Sequence, residues 1–188
     1  NNAVSDNSNL QLWLRADSVE LIDGKVSRWY DLSPNNYVIQ QTTTSSRPSV
    51  NASAINDTPA MQFNGSSTYL TGGDILDLGN SSWTWFVVGK AYINQWSRPY
   101  FSKTKYSSVN DCRYSLASSN IIFRPGPSST EYNFGYSALN PINTWHSLVW
   151  ENNRNTLENI IYVNNTLKSS ASFSNNNMNS NNFICTKN

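Results

Sequence analysis

Residues 59–70, PAMQFNGSSTYL, and residues 81–92, SSWTWFVVGKAY, decide the structural class of this chain. In the first stretch Met61 and Phe63 fall on one face of a short strand, Asn64-Gly65 is a two-residue turn signal, and Tyr69 suits a returning strand, so the segment reads as a hairpin. In the second, every position from Trp83 to Val88 is aromatic or β-branched. A run of that kind, buried on both faces or close to it, predicts a central strand of a two-layer β structure.

Working outward, the same signals recur. Leu10, Leu12 and Leu14 alternate with Gln11 and Trp13, which predicts a strand over 11–14. Asp23-Gly24 is a turn, Val26 and Trp29 are expected to face the interior, and Ser33-Pro34-Asn35-Asn36 breaks the chain. Residues 40–46 and 51–58 read as loops, and only Asn56 and residues 76–80 suit a brief helical turn. Pro99 argues for a strand edge or a bend, because proline cannot donate to a ladder. CRYSLAS, NIIFRP, EYNFGYSA and NFICTKN are short strands. In TWHSLVWE, Trp145, Ser147 and Val149 share one face while His146, Leu148 and Trp150 share the other. LENIIYVNNTLKSS is a hairpin about Asn164-Asn165, two residues that tolerate positive φ. Many short strands with turn signals and no crossover helices predict an all-β, antiparallel two-sheet sandwich.

Length and composition narrow the function. A chain of 188 residues suits one domain spanning 1–188. A net charge of +1 with 13% charged residues provides no field to hold nucleic acid or an anionic membrane. The polar residues are mainly Asn, Ser and Thr, and 13% of the chain is aromatic. That chemistry suits an extracellular protein that meets sugars, and it equally suits an AT-rich coding sequence. No apolar run approaches the roughly 18 residues that span a bilayer. The start at Asn1, with no signal segment, predicts a processed product or a piece of a longer protein. Cys112 and Cys185 allow one disulfide at most, or two separate thiols, and without a CxxC pair or Cys/His cluster no zinc site is expected.

The order LWLRADSV, VSRWYDLSPNN, RPSV, PAMQFNGSSTYL, WTWFVVGKA, RPYFSKT, TWHSLVWENN, IIYVNNTL and NNFICTKN resembles the concanavalin A-like, laminin G-like jelly-roll domains of bacterial and phage surface proteins. The likeness covers nearly the whole chain, and its strength lies in the order of elements. It implies a lectin-like jelly roll, in an adhesin or virion protein, that binds a glycan or another cell-surface ligand. Asn165 stands where the family usually has Gly, and Asn64 where it usually has Asp. Family members commonly add a G-x-I-A-E-V-I-I-Y strand after the segment that NFICTKN resembles. Its lack here leads us to expect a truncated sequence, or a closing strand supplied by another segment or subunit.

The resemblance also raises catalysis, since some of these jelly rolls cleave glycans. Glycoside hydrolysis needs two carboxyl groups about 5 to 10 Å apart. The enzyme branch supplies them from an E-x-D-x-E strand that this sequence lacks; Asp74 and Asp77 are the nearest pair of acids in mid-chain and read as a loop. A lyase needs a base such as His or Tyr, and the one histidine, His146, lies mid-strand where packing explains it. No catalytic residue is therefore assigned. Calcium would need a dense acidic loop, whereas Asp17, Asp31, Asp74 and Asp77 are scattered, so no metal or cofactor is assigned either. Sugar recognition uses rings stacked on the pyranose and amide, carboxylate or guanidinium groups on its hydroxyls. Trp96, Arg98, Tyr100, Tyr106, Asn110, Arg113, Arg124, Tyr132 and Asn133 carry that chemistry on expected loops and form the candidate ligand set. The competing expectations are a structural assembly module, as in a phage head fibre, tail or adhesin stalk, that contacts neighbouring subunits only, and a glycan hydrolase or lyase with an unrecognised site.

Overall fold

The computed structural model describes residues 8–92, 99–103, 113–117, 120–124, 132–135, 143–173 and 183–185. Cys112 lies outside them. The chain divides into two compact units, Asn1–Leu76 with Asn182–Asn188, and Asp77–Asn181.

The first unit holds β1 (Leu14–Ile22), β2 (Lys25–Asp31), β3 (Val38–Gln40), β4 (Ser49–Ile55), β5 (Thr58–Gln62) and β6 (Leu70–Gly73), with one 3-10 turn at Thr44–Ser46. β1 and β2 form a ribbon about Asp23-Gly24, whose φ angles of 54° and 71° lie in the left-handed region that Asp and Gly tolerate. The strand expected over 11–14 is displaced, because β1 begins only at Leu14. The stretch before it is tied to the end of β2 by a side chain: the Trp13 N–H donates to the Asp31 carboxylate at 2.7 Å. Asp31 is buried and also accepts from the Ser33 N–H (2.9 Å), the Ser33 hydroxyl (2.6 Å) and the Tyr37 N–H (3.2 Å), so one carboxylate closes the Ser33–Asn36 turn. Val26, Ile39 and Leu70 are fully buried, while Trp29 is half-buried and donates its indole N–H to the Arg15 carbonyl.

The hairpin expected over 59–70 is not formed. β5 pairs backward with β4, about Asn56-Asp57 at φ 48° and 57°, and β6 pairs with β3, Gln40 facing Thr71. The segment read as a loop over 51–58 is therefore the true hairpin. The physical reason lies in Asn64, whose side-chain oxygen accepts the N–H groups of Ser66, Ser67 and Thr68 at 3.0, 2.9 and 3.0 Å. That capture folds the segment into a wider loop in which Gly65 takes the positive φ, 67°, and Asn64 does not, whereas the two-residue hairpin turns need positive φ at both central positions or at the first.

The second unit holds β7 (Trp83–Gly89), β8 (Pro99–Lys103), β9 (Arg113–Ala117), β10 (Asn120–Arg124), β11 (Tyr132–Gly135), β12 (His146–Asn153), β13 (Glu158–Val163) and β14 (Thr166–Ser172). Strands β8 to β11 pair in sequence order, and a four-stranded sheet runs β14-β13-β12-β7. β12 alternates as expected, with His146, Leu148, Trp150 and Asn152 buried. Trp83 meets Trp150 edge-on at 4.7 Å, and Trp85 stacks on Phe101 of β8 at 4.0 Å. The expectation that β7 is central is corrected: among the described residues it pairs with β12 alone, at the sheet edge, and its outer face leaves Phe86 75% and Val88 65% exposed. A run that is apolar at every position has no period from which the covered face can be read.

Across β12 and β13, the buried Asn159 side-chain oxygen accepts from the Trp150 indole N–H (2.9 Å) and from the Asn152 amide (2.8 Å). β13 and β14 form the expected hairpin, with Asn164 and Asn165 at φ 48° and 61°. Near the chain's end β15 (Phe183–Cys185) pairs with β6, Cys185 facing Leu70. All these pairings are antiparallel, and the fold is all-β.

Two substitutions test this account by urea denaturation. Asn159→Ala strips the shared acceptor from two buried donors and is expected to cost about 2 to 4 kcal/mol. Asn165→Val forces a β-branched residue to positive φ and is expected to cost about 1 to 2 kcal/mol, whereas Asn165→Gly leaves the midpoint unchanged or raises it.

Candidate functional site

Of the nine candidate ligand residues, Trp96, Arg98, Tyr106 and Asn110 lie outside the described residues. The other five are not on loops: Tyr100 is in β8, Arg113 opens β9, Arg124 closes β10, and Tyr132 and Asn133 open β11. Their aromatic and β-branched neighbours extend the ladders to these positions. The register brings several together, since Arg124 faces Arg113, Tyr132 faces Phe123, and Lys103 at the end of β8 faces Tyr114. Lys103, Arg113, Arg124 and Tyr132 thus share one end of a four-stranded ribbon. Lys103 itself is fully buried, with its ammonium 2.7 Å from the Asp77 carboxylate. Asp77, weighed as half of an acidic pair, serves as the counterion of a buried lysine.

Tyr100 is half-buried beneath Gly89, and its hydroxyl lies 2.9 Å from His146 Nε2. His146 Nδ1 is 3.1 Å from the Thr144 carbonyl, which can only accept, so the proton sits on Nδ1 and the Tyr100 hydroxyl donates to Nε2. Burial holds the imidazole below its ordinary pKa and pushes the phenol well above its own. A His facing a Tyr is the arrangement a lyase would use. Here hydrogen bonds to Tyr100 and Thr144 fill both ring nitrogens, and His146 is only 4% exposed.

A depression of about 460 Å³ in the first unit was not anticipated from the sequence. Its wall includes Lys25 at the start of β2, Asp23 from the β1–β2 turn, Arg47 after the 3-10 turn, Gln62 at the end of β5 and Phe63 just after it. Hydroxyls of Thr44, Ser45, Ser49 and Thr68 also line it. A backbone bond from the Val26 N–H to the Pro48 carbonyl, 2.9 Å, sets Lys25 beside the Arg47 segment. Arg47 is half-buried and oriented by two carbonyls, Nε donating to Gln41 (2.9 Å) and Nη2 to Thr42 (3.1 Å). Among the described residues no carboxylate forms an ion pair with Lys25 or Arg47. No group of three or more His, Cys, Asp or Glu is placed to hold a metal among those residues, and none of their helices is long and apolar enough to cross a membrane.

No family model and no curated protein matches the chain. Solved structures do. The receptor-binding domain of botulinum neurotoxin type G is 19% identical, with a TM-score of 0.57 over 96% of this chain and 44% of its own. A mutant of the structure described as HCR/D is 17% identical, with a TM-score of 0.56 over 91% of this chain and 44% of its own. At these identities the likeness shows a shared fold, and the chain spans less than half the length of either structure. A Bacillus licheniformis β-glucanase aligns with a TM-score of only 0.38 at 14% identity, over 96% of this chain and 80% of its own, too distant a likeness to bear on chemistry.

The buried imidazole makes stability depend on pH. With its folded pKa lowered from 6.5, the His146 contribution is complete above that value and is lost as pH falls below it, where the unfolded chain takes up the proton. The urea midpoint is expected to drop from pH 7.5 to pH 5. Because the chain has one histidine, His146→Gln should flatten that slope; an unchanged slope in the variant would contradict the assignment.

Proposed function

We propose that this chain is a non-catalytic recognition domain of an extracellular adhesin or virion protein, and that it binds a glycan or another cell-surface ligand. The observation that carries the reading is the depression beside Phe63, where one half-buried ring stands among amide, hydroxyl and charged groups from four segments. A ring takes the apolar face of a pyranose and the polar groups take its hydroxyls. Support also comes from the fold shared with a receptor-binding domain. The strand ends carrying Arg113, Arg124 and Tyr132 remain a second proposed contact region, with Asn133 beside them. Phe63→Ala is expected to weaken glycan binding by about tenfold or more in calorimetric titration, which corresponds to the loss of one stacked ring. No binding by the unaltered chain to any polysaccharide at millimolar concentration would refute the reading.

One observation favours an assembly module instead. β7 carries no charged residue, and with Leu167 at 56% exposure on β14 its outward Phe86 and Val88 leave an apolar sheet surface that other chains can cover. A solution mass equal to one chain at high concentration would remove that reading.

A further inference from the structure

We infer that the depression selects a sugar acid, a pyranose bearing a carboxylate; this rests on the recognition reading and narrows it. Lys25 and Arg47 approach it from different segments, and no carboxylate neutralises either among the described residues. With Asp23 as the one acid in the lining, the formal charge is two positive against one negative. A neutral sugar would leave one positive charge in excess facing it. A monoanion removes that excess.

The rest of the lining argues against a bare inorganic anion. Sulfate only accepts hydrogen bonds and phosphate is an acceptor-rich anion, so the Asp23 carboxylate would repel either one and the Phe63 ring would offer neither a partner. A carboxylated pyranose uses every group. Its carboxylate meets the Lys25 ammonium and the free edge of a guanidinium already fixed by the Gln41 and Thr42 carbonyls. Its hydroxyls donate to Asp23 and exchange bonds with Gln62 and Ser49, and its C–H face lies on Phe63. Asn64, in contrast, spends its side-chain oxygen on its own loop and serves as a wall.

The test uses the full chain and the matched pair methyl β-D-glucuronide and methyl β-D-glucoside, which differ only in carboxylate against hydroxymethyl, with sodium sulfate as a third probe. Titration by calorimetry or by NMR should find the glucuronide bound about tenfold more tightly than the glucoside, the increment of one charge-assisted contact. Lys25→Ala should erase most of that ratio and Lys25→Glu all of it, with the thermal midpoint unchanged because Lys25 is exposed. Phe63→Ala should weaken both glycosides together. Equal affinity for the two glycosides would overturn the inference while leaving glycan recognition standing. Sulfate displacing the glucuronide equally well, in a way indifferent to Phe63→Ala, would overturn it in favour of a plain anion site. Binding of none of the three probes would also overturn it; the broader reading would then stand only on a polysaccharide bound elsewhere, in a way insensitive to Lys25→Glu.

Discussion

The register of β12 on β13 depends on one buried oxygen. Asn159 faces Asn152 across the ladder and accepts from both Asn152 and Trp150, all three residues at most 1% exposed. A slip of one residue would turn Asn159 to the other face and leave an indole and an amide donor unpaired in the core, at about 1 to 3 kcal/mol each. Apolar packing alone tolerates such slips more easily, because one aliphatic side chain can replace another. With β12 fixed, His146 and Leu148 point inward, β7 docks with Trp83 and Trp85 on the same face, and Tyr100 of β8 finds His146. The first unit uses the same device with a carboxylate, since Asp31 gathers donors from Trp13, Ser33 and Tyr37.

Those two acceptors also mark where the sequence is legible. β12 could be read residue by residue because its apolar positions alternate, and the Asn164-Asn165 turn because both residues tolerate the φ it demands. β7 could be recognised as a strand and not as an edge, since an unbroken apolar run states no face. The Asn64-Gly65 turn misled for a different reason: the asparagine that permits a hairpin also has an oxygen that can bind the next N–H groups, and here that local bond wins. Local pattern names the residues able to turn. It does not say which turn they make.

The candidate site shows the same division more sharply. Arg113, Arg124 and Tyr132 stand out in the sequence by their chemistry, and strand pairing does gather them at one end of a ribbon, at ladder positions and not on loops. Lys25, Arg47 and Phe63 have the same chemistry, but no sequence motif sets them apart. Nothing near Lys25 announces Arg47; the two meet because the Val26 N–H bonds to Pro48 and because β5 returns along β4. Long-range backbone pairing of that kind leaves no trace in a window of sequence.

The charge balance of the whole chain bears on how such a site works. A net charge of +1 spread over 188 residues gives little long-range steering, and at physiological salt exposed charges are screened beyond about 8 Å. The selection proposed for the depression therefore has to come from contact geometry, which a guanidinium held by two backbone carbonyls supplies and a freely rotating chain does not. The Tyr100 and His146 pair lies at the opposite extreme. Its polar atoms are as well ordered, yet the Thr144 carbonyl and the phenol occupy both ring nitrogens and the imidazole is 4% exposed, so the ring offers no open hydrogen-bonding face. Order with an open hydrogen-bonding face is what the proposed ligand site asks of Arg47, and order with every ring nitrogen satisfied makes His146 a strut.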